Sequence, residues 1–351
     1  MTTAINKKLE EYKKNKPVQL EFFFLDDEEK REKHFSRSIE IYDLAPKYNR
    51  SKRLERVQDK YLEVINKNFA IGDDSYNIVI SPARITKKNK NGEIISEKDF
   101  YPGRREELVE DALRKLACDG NGIYLNDGDK NYVGVVFTLY ELQQELKRTG
   151  HNYNITQIKD AILICNKTNL EISFSGGRKI KSSTMFEDIG LTTQSDWVGT
   201  GKKDKAYVRF NSLITESINS KQFRLYNYEK SMLLKADLAR FLHKKMAMRF
   251  KQASALHHYS PLLSSIIRDS GSVYYDKISN NIRQLRLSLD EMKKSEILSS
   301  YKIENIYNDK DKRKITDAKI TLIPHFKFVK EMKFFNKKYR ELKNSELLNK
   351  L

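Results

Sequence analysis

Between positions 277 and 286 the chain gathers Lys277, Asn280, Asn281, Arg283, Gln284 and Arg286. Arg presents a planar fork of donors that fits guanine O6 and N7. Asn and Gln can pair in the same bidentate way with adenine N6 and N7. Ile278, Ile282, Leu285, Leu289 and Met292 recur every three or four residues through the same stretch. That spacing predicts an amphipathic helix over about 274–296, with its apolar stripe inward and the polar fork-bearing residues outward. The chemistry on offer is base reading in a major groove, and the plain alternative is a solvated helix face. Two neighbouring features favour the groove. Lys310, Lys312, Arg313 and Lys314 crowd a hairpin tip between strands expected near 299–307 and 315–323, where they could neutralise phosphates. Residues 226–351 also hold 27 Lys and Arg against 14 Asp and Glu, so +13 of the formal net charge of +18 lies there.

Other chemistries fare worse. The six histidines are His34, His151, His243, His257, His258 and His325. A nicking site built on two His flanking one apolar residue needs alternation, whereas His257, His258 and Tyr259 are adjacent. HExxH and GxSxG do not occur. Gly201-Lys202 is the only Gly-Lys pair, and position 196 is Asp, so no phosphate-binding loop is spelled out. Cys118 and Cys165 are too few for a disulfide framework or a four-ligand zinc site and read as buried thiols. The expectation is a protein with no catalytic residues, no metal and no cofactor. No apolar run approaches the roughly 18 residues of a membrane span. The opening MTTAINKKLEEYKKNK lacks the apolar core of a secretory signal. A cytoplasmic protein without membrane contact is expected.

The 351 residues suit two domains at roughly 100–200 residues each. Hydrophobic residues make up 39%, too many for a disordered chain. Residues 1–19 are polar, and Phe22, Phe23 and Phe24 follow. Leu54, Val57, Tyr61 and Ile65 suggest a helix at 50–66. Alternation at Tyr76, Ile78 and Ile80, with a turn at Asn89-Lys90-Asn91-Gly92, suggests a hairpin with arms near 75–87 and 93–101. A helix at 104–117 follows Pro102-Gly103, with Glu106 and Glu107 in its first turn and Arg114 and Lys115 in its last. After a strand at 133–137, helices open at Thr138 and at Asn154, each with a capping-box partner three residues on, Glu141 and Gln157. A strand at 170–174, a Gly- and Lys-rich excursion over 175–203 and a closing strand near 206–210 complete the pattern of helix, helix, strand and long basic hairpin. That is the order of a winged helix-turn-helix. A second pass follows: a helix at 228–252, one starting at Ser260-Pro261 and ending at Gly271, the helix at 274–296, and the charged hairpin.

The expected fold class is therefore α+β, two tandem winged helix-turn-helix domains, each with helices and a β-hairpin wing. Residues 1–49 would be an N-terminal tail and extension. Residues 50–215 would form the first domain, serving a secondary DNA contact or dimerisation, and 216–340 the second, the main DNA-binding domain. Residues 341–351 would be a tail. The first domain's candidate recognition helix offers Asn154, Thr156, Gln157 and Lys159, with Asp160 repelling phosphate. Arg178 and Lys179, with Lys181, Lys202, Lys203 and Lys205, are further candidates for phosphate contact.

Several stretches resemble plasmid replication initiators of the RepA type. They are Tyr101-Pro102-Gly103-Arg104-Arg105-Glu106-Glu107-Leu108-Val109-Glu110-Asp111-Ala112-Leu113-Arg114-Lys115-Leu116-Ala117, Phe137-Thr138-Leu139-Tyr140-Glu141-Leu142, Phe210 to Ile218, and Tyr226 to Leu242. The resemblance covers about 100–330. It implies an initiator that binds double-stranded plasmid origin DNA at repeated sites, called iterons, mainly through its C-terminal module. It further implies a homodimer in equilibrium with an active monomer, and recruitment of the host initiator DnaA and helicase DnaB. Without an origin role, the same architecture would suit a winged-helix transcriptional regulator or autorepressor.

Overall fold

A computed structural model describes residues 34–50, 61–89, 91–127, 130–174, 180–191, 205–220, 222–254, 256–272 and 275–348. The architecture is mixed α+β, with helices set among several small antiparallel sheets.

The first element, β1 (Phe35–Ile39), leads into a short helix α1 (Glu40–Leu44). Next come β2 (Ile65–Ile71), β3 (Asp74–Ser81), β4 (Ala83–Lys88) and β5 (Ile94–Phe100). The helix expected at 50–66 lies mostly on residues 51–60, outside the described residues. The part that is described departs from it. Residues 61–64 have no regular structure, and Ile65 opens β2 opposite Ile80 of β3. The arm expected at 75–87 is divided at Pro82, which has no N–H for a ladder. Thus β3 and β4 belong to different sheets, and β4 pairs with β5.

Helix α2 (Arg104–Leu116) buries Leu108, Val109, Ala112 and Leu113. A π-helical turn at Ala117–Asn121 leads to β6 (Gly122–Asp127) and β7 (Lys130–Thr138). Helices α3 (Leu139–Arg148) and α4 (Ile155–Lys167) start at the two capping boxes read in the sequence. Thr138 Oγ1 accepts from Glu141 N at 3.0 Å, and Asn154 Oδ1 accepts from Gln157 N at 2.8 Å. Beyond α4 lie β8 (Asn169–Phe174), β9 (Ile180–Thr184), β10 (Phe186–Gly190) and β11 (Lys205–Phe210). The single long hairpin expected here does not form. β8 pairs with β3 and β9 in the sheet β2-β3-β8-β9. β11 pairs instead with β7 and β10. Gly134 permits the β7–β11 approach, because a Cβ there would lie 2.6 Å from the Val208 carbonyl.

Helix α5 (Ser212–Asn219) and strand β12 (Phe223–Asn227) connect to the remainder. β12 pairs with β1, so the N-terminal extension is stitched to residues 223–227. The helix expected at 228–252 is two helices, α6 (Tyr228–Leu233) and α7 (Asp237–Arg249). The break has a cause outside the segment: the Glu291 carboxylate accepts from the Lys235 and Ala236 backbone N–H groups. Helix α8 spans Leu263–Ser270 rather than opening at Ser260-Pro261. Tyr259 and Leu262 are held as bridges to the neighbouring hairpin, and the Asp317 carboxylate accepts from Ser264 N at 3.1 Å. Gly271, at φ +63°, ends α8 as expected. Helix α9 (Ile278–Lys294), the hairpin strands β13 (Leu298–Tyr307) and β14 (Ile315–Pro324), and a long helix α10 (Phe326–Leu348) complete the described chain. The tail expected from 341 thus continues as helix to Leu348.

An ionic network inside the core joins residues 43–50, α2 and α7. Arg114 donates to Asp43 at 2.7 Å and to Asp111 at 2.9 Å, Lys244 reaches Asp111 at 2.6 Å, and Arg240 reaches Glu107 at 3.0 Å. The side chains of all these residues are buried. Burial alone would raise the Asp43 pKa, but Arg114 and Lys47 outweigh it and hold the carboxyl well below its usual range. Arg240 and Arg50 do the same for Glu107.

Candidate nucleic-acid interface

Helix α9 is built with two faces. Ile282, Leu285, Ser288, Leu289 and Met292 are buried, whereas Asn280, Arg283, Gln284, Arg286 and Leu287 are exposed. Lys277, at the N-cap, is exposed as well. The outward residues at 280, 283, 284 and 287 follow helical spacing and share one side of the cylinder. Neither Arg283, Arg286 nor Lys277 makes an ion pair among the described residues, so their donors face solvent. Glu291, on the inner edge of the last turns, locks α9 to the break between α6 and α7. Tyr301 of β13 donates to Asp290 at 2.6 Å and ties the helix to the hairpin. Burial and that hydrogen bond push the Tyr301 phenol up to about 12, so it stays a neutral donor.

Asn281 requires a correction. It is 3% exposed, and its amide is used locally: Oδ1 accepts from Tyr275 N at 2.9 Å and Nδ2 donates to Tyr275 O at 2.7 Å. It clamps the chain entering α9. A base edge cannot reach an amide that is buried and already paired, so the expected role passes to the exposed Asn280, Arg283 and Gln284.

The β13–β14 ladder runs from Leu298 opposite Pro324 to Tyr307 opposite Ile315. Its tip is shaped by its own polar residues. Asn308 Oδ1 accepts from Lys310 N at 2.8 Å and from Asp311 N at 3.2 Å, and Asp311 Oδ1 accepts from Arg313 N at 3.0 Å. The turn is thereby ordered without using the cations. Lys310, Lys312, Arg313 and Lys314 are all exposed and make no ion pair among the described residues.

The first module's candidates are less available. Asn154 and Gln157 spend their side chains on the cap of α4. Lys159 sits half-buried on α4, well separated in sequence from α9 and its hairpin. Lys181 pairs with Glu216. Arg178, Lys179, Lys202 and Lys203 lie outside the described residues. Sequence reasoning missed Glu291 and Asn281 as positioning groups, because both act through backbone atoms brought near only by folding. It also missed α10, whose Phe328, Met332 and Phe335 have the helical spacing that could have revealed it. No group of three or more His, Cys, Asp or Glu among the described residues could hold a metal ion. No helix among them is long and apolar enough to cross a membrane.

No protein-family model matches the chain, and no curated protein matches it. Among solved structures it is similar to domains 2 and 3 of RctB, at 14% identity and a TM-score of 0.46, over 81% of this chain and 96% of that one. A second structure, RctB-155-483, gives 11% identity, a TM-score of 0.41 and the same coverage. The Pi initiator protein in complex with iteron DNA is similar at 12% identity and a TM-score of 0.42, over 63% of this chain and 90% of that one.

Proposed function

We propose that the chain is a sequence-specific binder of double-stranded DNA that initiates plasmid replication at repeated origin sites. In this reading two tandem winged helix-turn-helix modules, 50–215 and 216–340, are arranged in series. The second supplies most of the affinity. Arg283, Gln284 and Asn280 of α9 read base edges from the major groove, aided by Lys277. Arg286 and the tip cations Lys310, Lys312, Arg313 and Lys314 contact phosphates. Lys159 adds a weaker contact from the first module. The protein performs no catalysis and requires no cofactor. It delivers the origin to DnaA and DnaB of the host and exchanges between monomer and homodimer.

One observation carries this reading: an anchored helix presents fork-shaped donors on its outward face, beside a hairpin whose ordered tip leaves four cations without an ion pair among the described residues. Such donors discriminate bases, while the cations contribute affinity that any duplex shares. The experiment is nuclease footprinting of the full chain on the DNA flanking its own gene. A ladder of protected repeats, spaced by about one helical turn or two, is the expected result. Uniform protection without repeats would exclude an origin role.

A further inference from the structure

The outer face of α10 is a stripe of cations. Lys330, Lys333, Lys337 and Arg340 are all exposed and follow one another at intervals of three, four and three residues. They therefore lie on one side of the helix, over about 15 Å of its axis. The opposite side is fixed. Phe328, Met332 and Phe335 are buried, Phe35 packs 5.5 Å from Phe334 and 5.1 Å from Phe335, and Asn336 Nδ2 donates to Lys251 O at 2.7 Å.

Lys330 and Lys333 are left uncovered by the acidic residues near them on α10, and Glu341 reaches only the end of the stripe at Lys337. Glu331 points inward and is held by Lys230 at 3.0 Å and by Asn227 at 2.9 Å. Glu341 stands at the far end, 3.9 Å from Lys337. Lys330 and Lys333 make no ion pair among the described residues. Like charges at these spacings repel one another along a helix, and an external polyanion relieves that repulsion.

The charge distribution points the same way. Residues 325–351 carry 8 Lys and Arg against 3 Asp and Glu, a denser excess than the 19 against 11 of residues 226–324. Several cations of the latter stretch, Arg240, Lys244 and Lys245 among them, are buried in ion pairs and unavailable to a partner. The stripe also starts beside the foot of α9, where Lys327 pairs with Glu296 and His325 N donates to Ile297 O at 3.0 Å.

We infer that the outer face of α10 is a second phosphate-contacting surface, which grips the backbone of the duplex outside the base pairs read by α9. The inference rests on the reading of α9 as a DNA-binding helix. Its occupant follows from charge: about 15 Å of duplex presents roughly nine phosphates, ample to match four cations held on a rigid helix.

The test uses the full chain with Lys330, Lys333 and Lys337 all changed to Gln. Kd is measured against salt on a duplex with long flanks around the footprinted site, and on a scrambled duplex of equal length. Each neutralised phosphate contributes about 0.9 to the slope of log affinity on log salt. The triple variant should therefore lose about 2.7 from the slope on both duplexes, while its preference for the specific site stays at the wild-type value. The corresponding triple Arg variant should restore the slope, and the single variant Lys333→Gln should lose about 0.9. An unchanged slope in the triple Gln variant overturns the inference, including the case where only binding to an acidic protein is lost. Arg283→Ala, run in parallel, separates the two claims. If it loses site preference while the triple variant keeps its slope, only the α10 surface is refuted. If the wild type shows no salt-sensitive duplex binding, both fall.

Discussion

His243 should make the protein sensitive to mild acid. The ring is fully buried, 6.4 Å from both Tyr226 and Phe328, and neither ring nitrogen has a hydrogen-bond partner among the described residues. Burial, reinforced by Lys230 and Lys244, pushes its pKa down to about 3. In the unfolded chain it returns to about 6.5. Between those values only the unfolded state binds the proton, so acid favours unfolding. Stability is intact above about pH 6.5 and falls by about 1.4 kcal/mol per pH unit below it, until the folded pKa is reached. From pH 7.5 to pH 5.0 this one residue should remove about 2 kcal/mol. His243→Phe keeps an aromatic ring between the two neighbours and removes the titration. Urea unfolding of both proteins at the two pH values measures the difference. Asp43 and Glu107, held below the usual carboxylate range, lose their contribution only at lower pH and do not confuse this window. The wild type should lose about 2 kcal/mol more than the variant over the interval. Equal losses would refute the assignment of His243 as a buried neutral imidazole.

Three further outcomes follow from particular contacts. Glu291→Ala should cost about 1–3 kcal/mol, measured by denaturant unfolding, because the Lys235 and Ala236 N–H groups lose their acceptor, and a loss of DNA affinity should accompany it as α9 loosens. Lys244→Met removes one partner from the buried network and should destabilise by about 3–5 kcal/mol, since Arg114 is then the one cation left to Asp111 among the described residues; a Tm equal to wild type would show that the network is open to water. Thr138→Ala removes one side of a capping box and should cost about 1 kcal/mol, visible as a lower urea midpoint with an unchanged m-value.

Local signals in the sequence carried far. The capping residues Thr138 and Asn154, the acidic and basic ends of α2, and the apolar spacing of α9 all describe interactions within about four residues, and those elements lie where the spacing predicts. The departures share a different cause. The break between α6 and α7 is imposed by Glu291, more than fifty residues away, and the late start of α8 by Asp317 and by pairing of 259–262 with β14. Ile65 fits the helical spacing of Leu54, Val57 and Tyr61 as well as the alternation with Phe69 and Ile71, and pairing with β3 selects the strand. On α9, residue type picked out Arg283, Gln284, Asn280 and Asn281 alike, and only the fold separates the exposed three from the buried Asn281. A single polar side chain next to Ile282 can face either way, and it is the Tyr275 backbone that draws Asn281 inward. The total charge was similarly incomplete as a guide. It located the basic C-terminal third of the chain without distinguishing buried, paired cations such as Arg240 and Lys244 from the exposed ones on the hairpin tip and α10.

The central claim is that α9 reads sequence, and one comparison tests it most directly. Wild type and Arg283→Ala are titrated, at fixed salt, on a duplex carrying the footprinted site and on a scrambled duplex of the same length. A lost bidentate contact is worth about 1–3 kcal/mol, so the ratio of specific to scrambled affinity should fall roughly 5- to 150-fold in the variant, with binding to scrambled DNA much less affected. A ratio unchanged by Arg283→Ala would contradict the account.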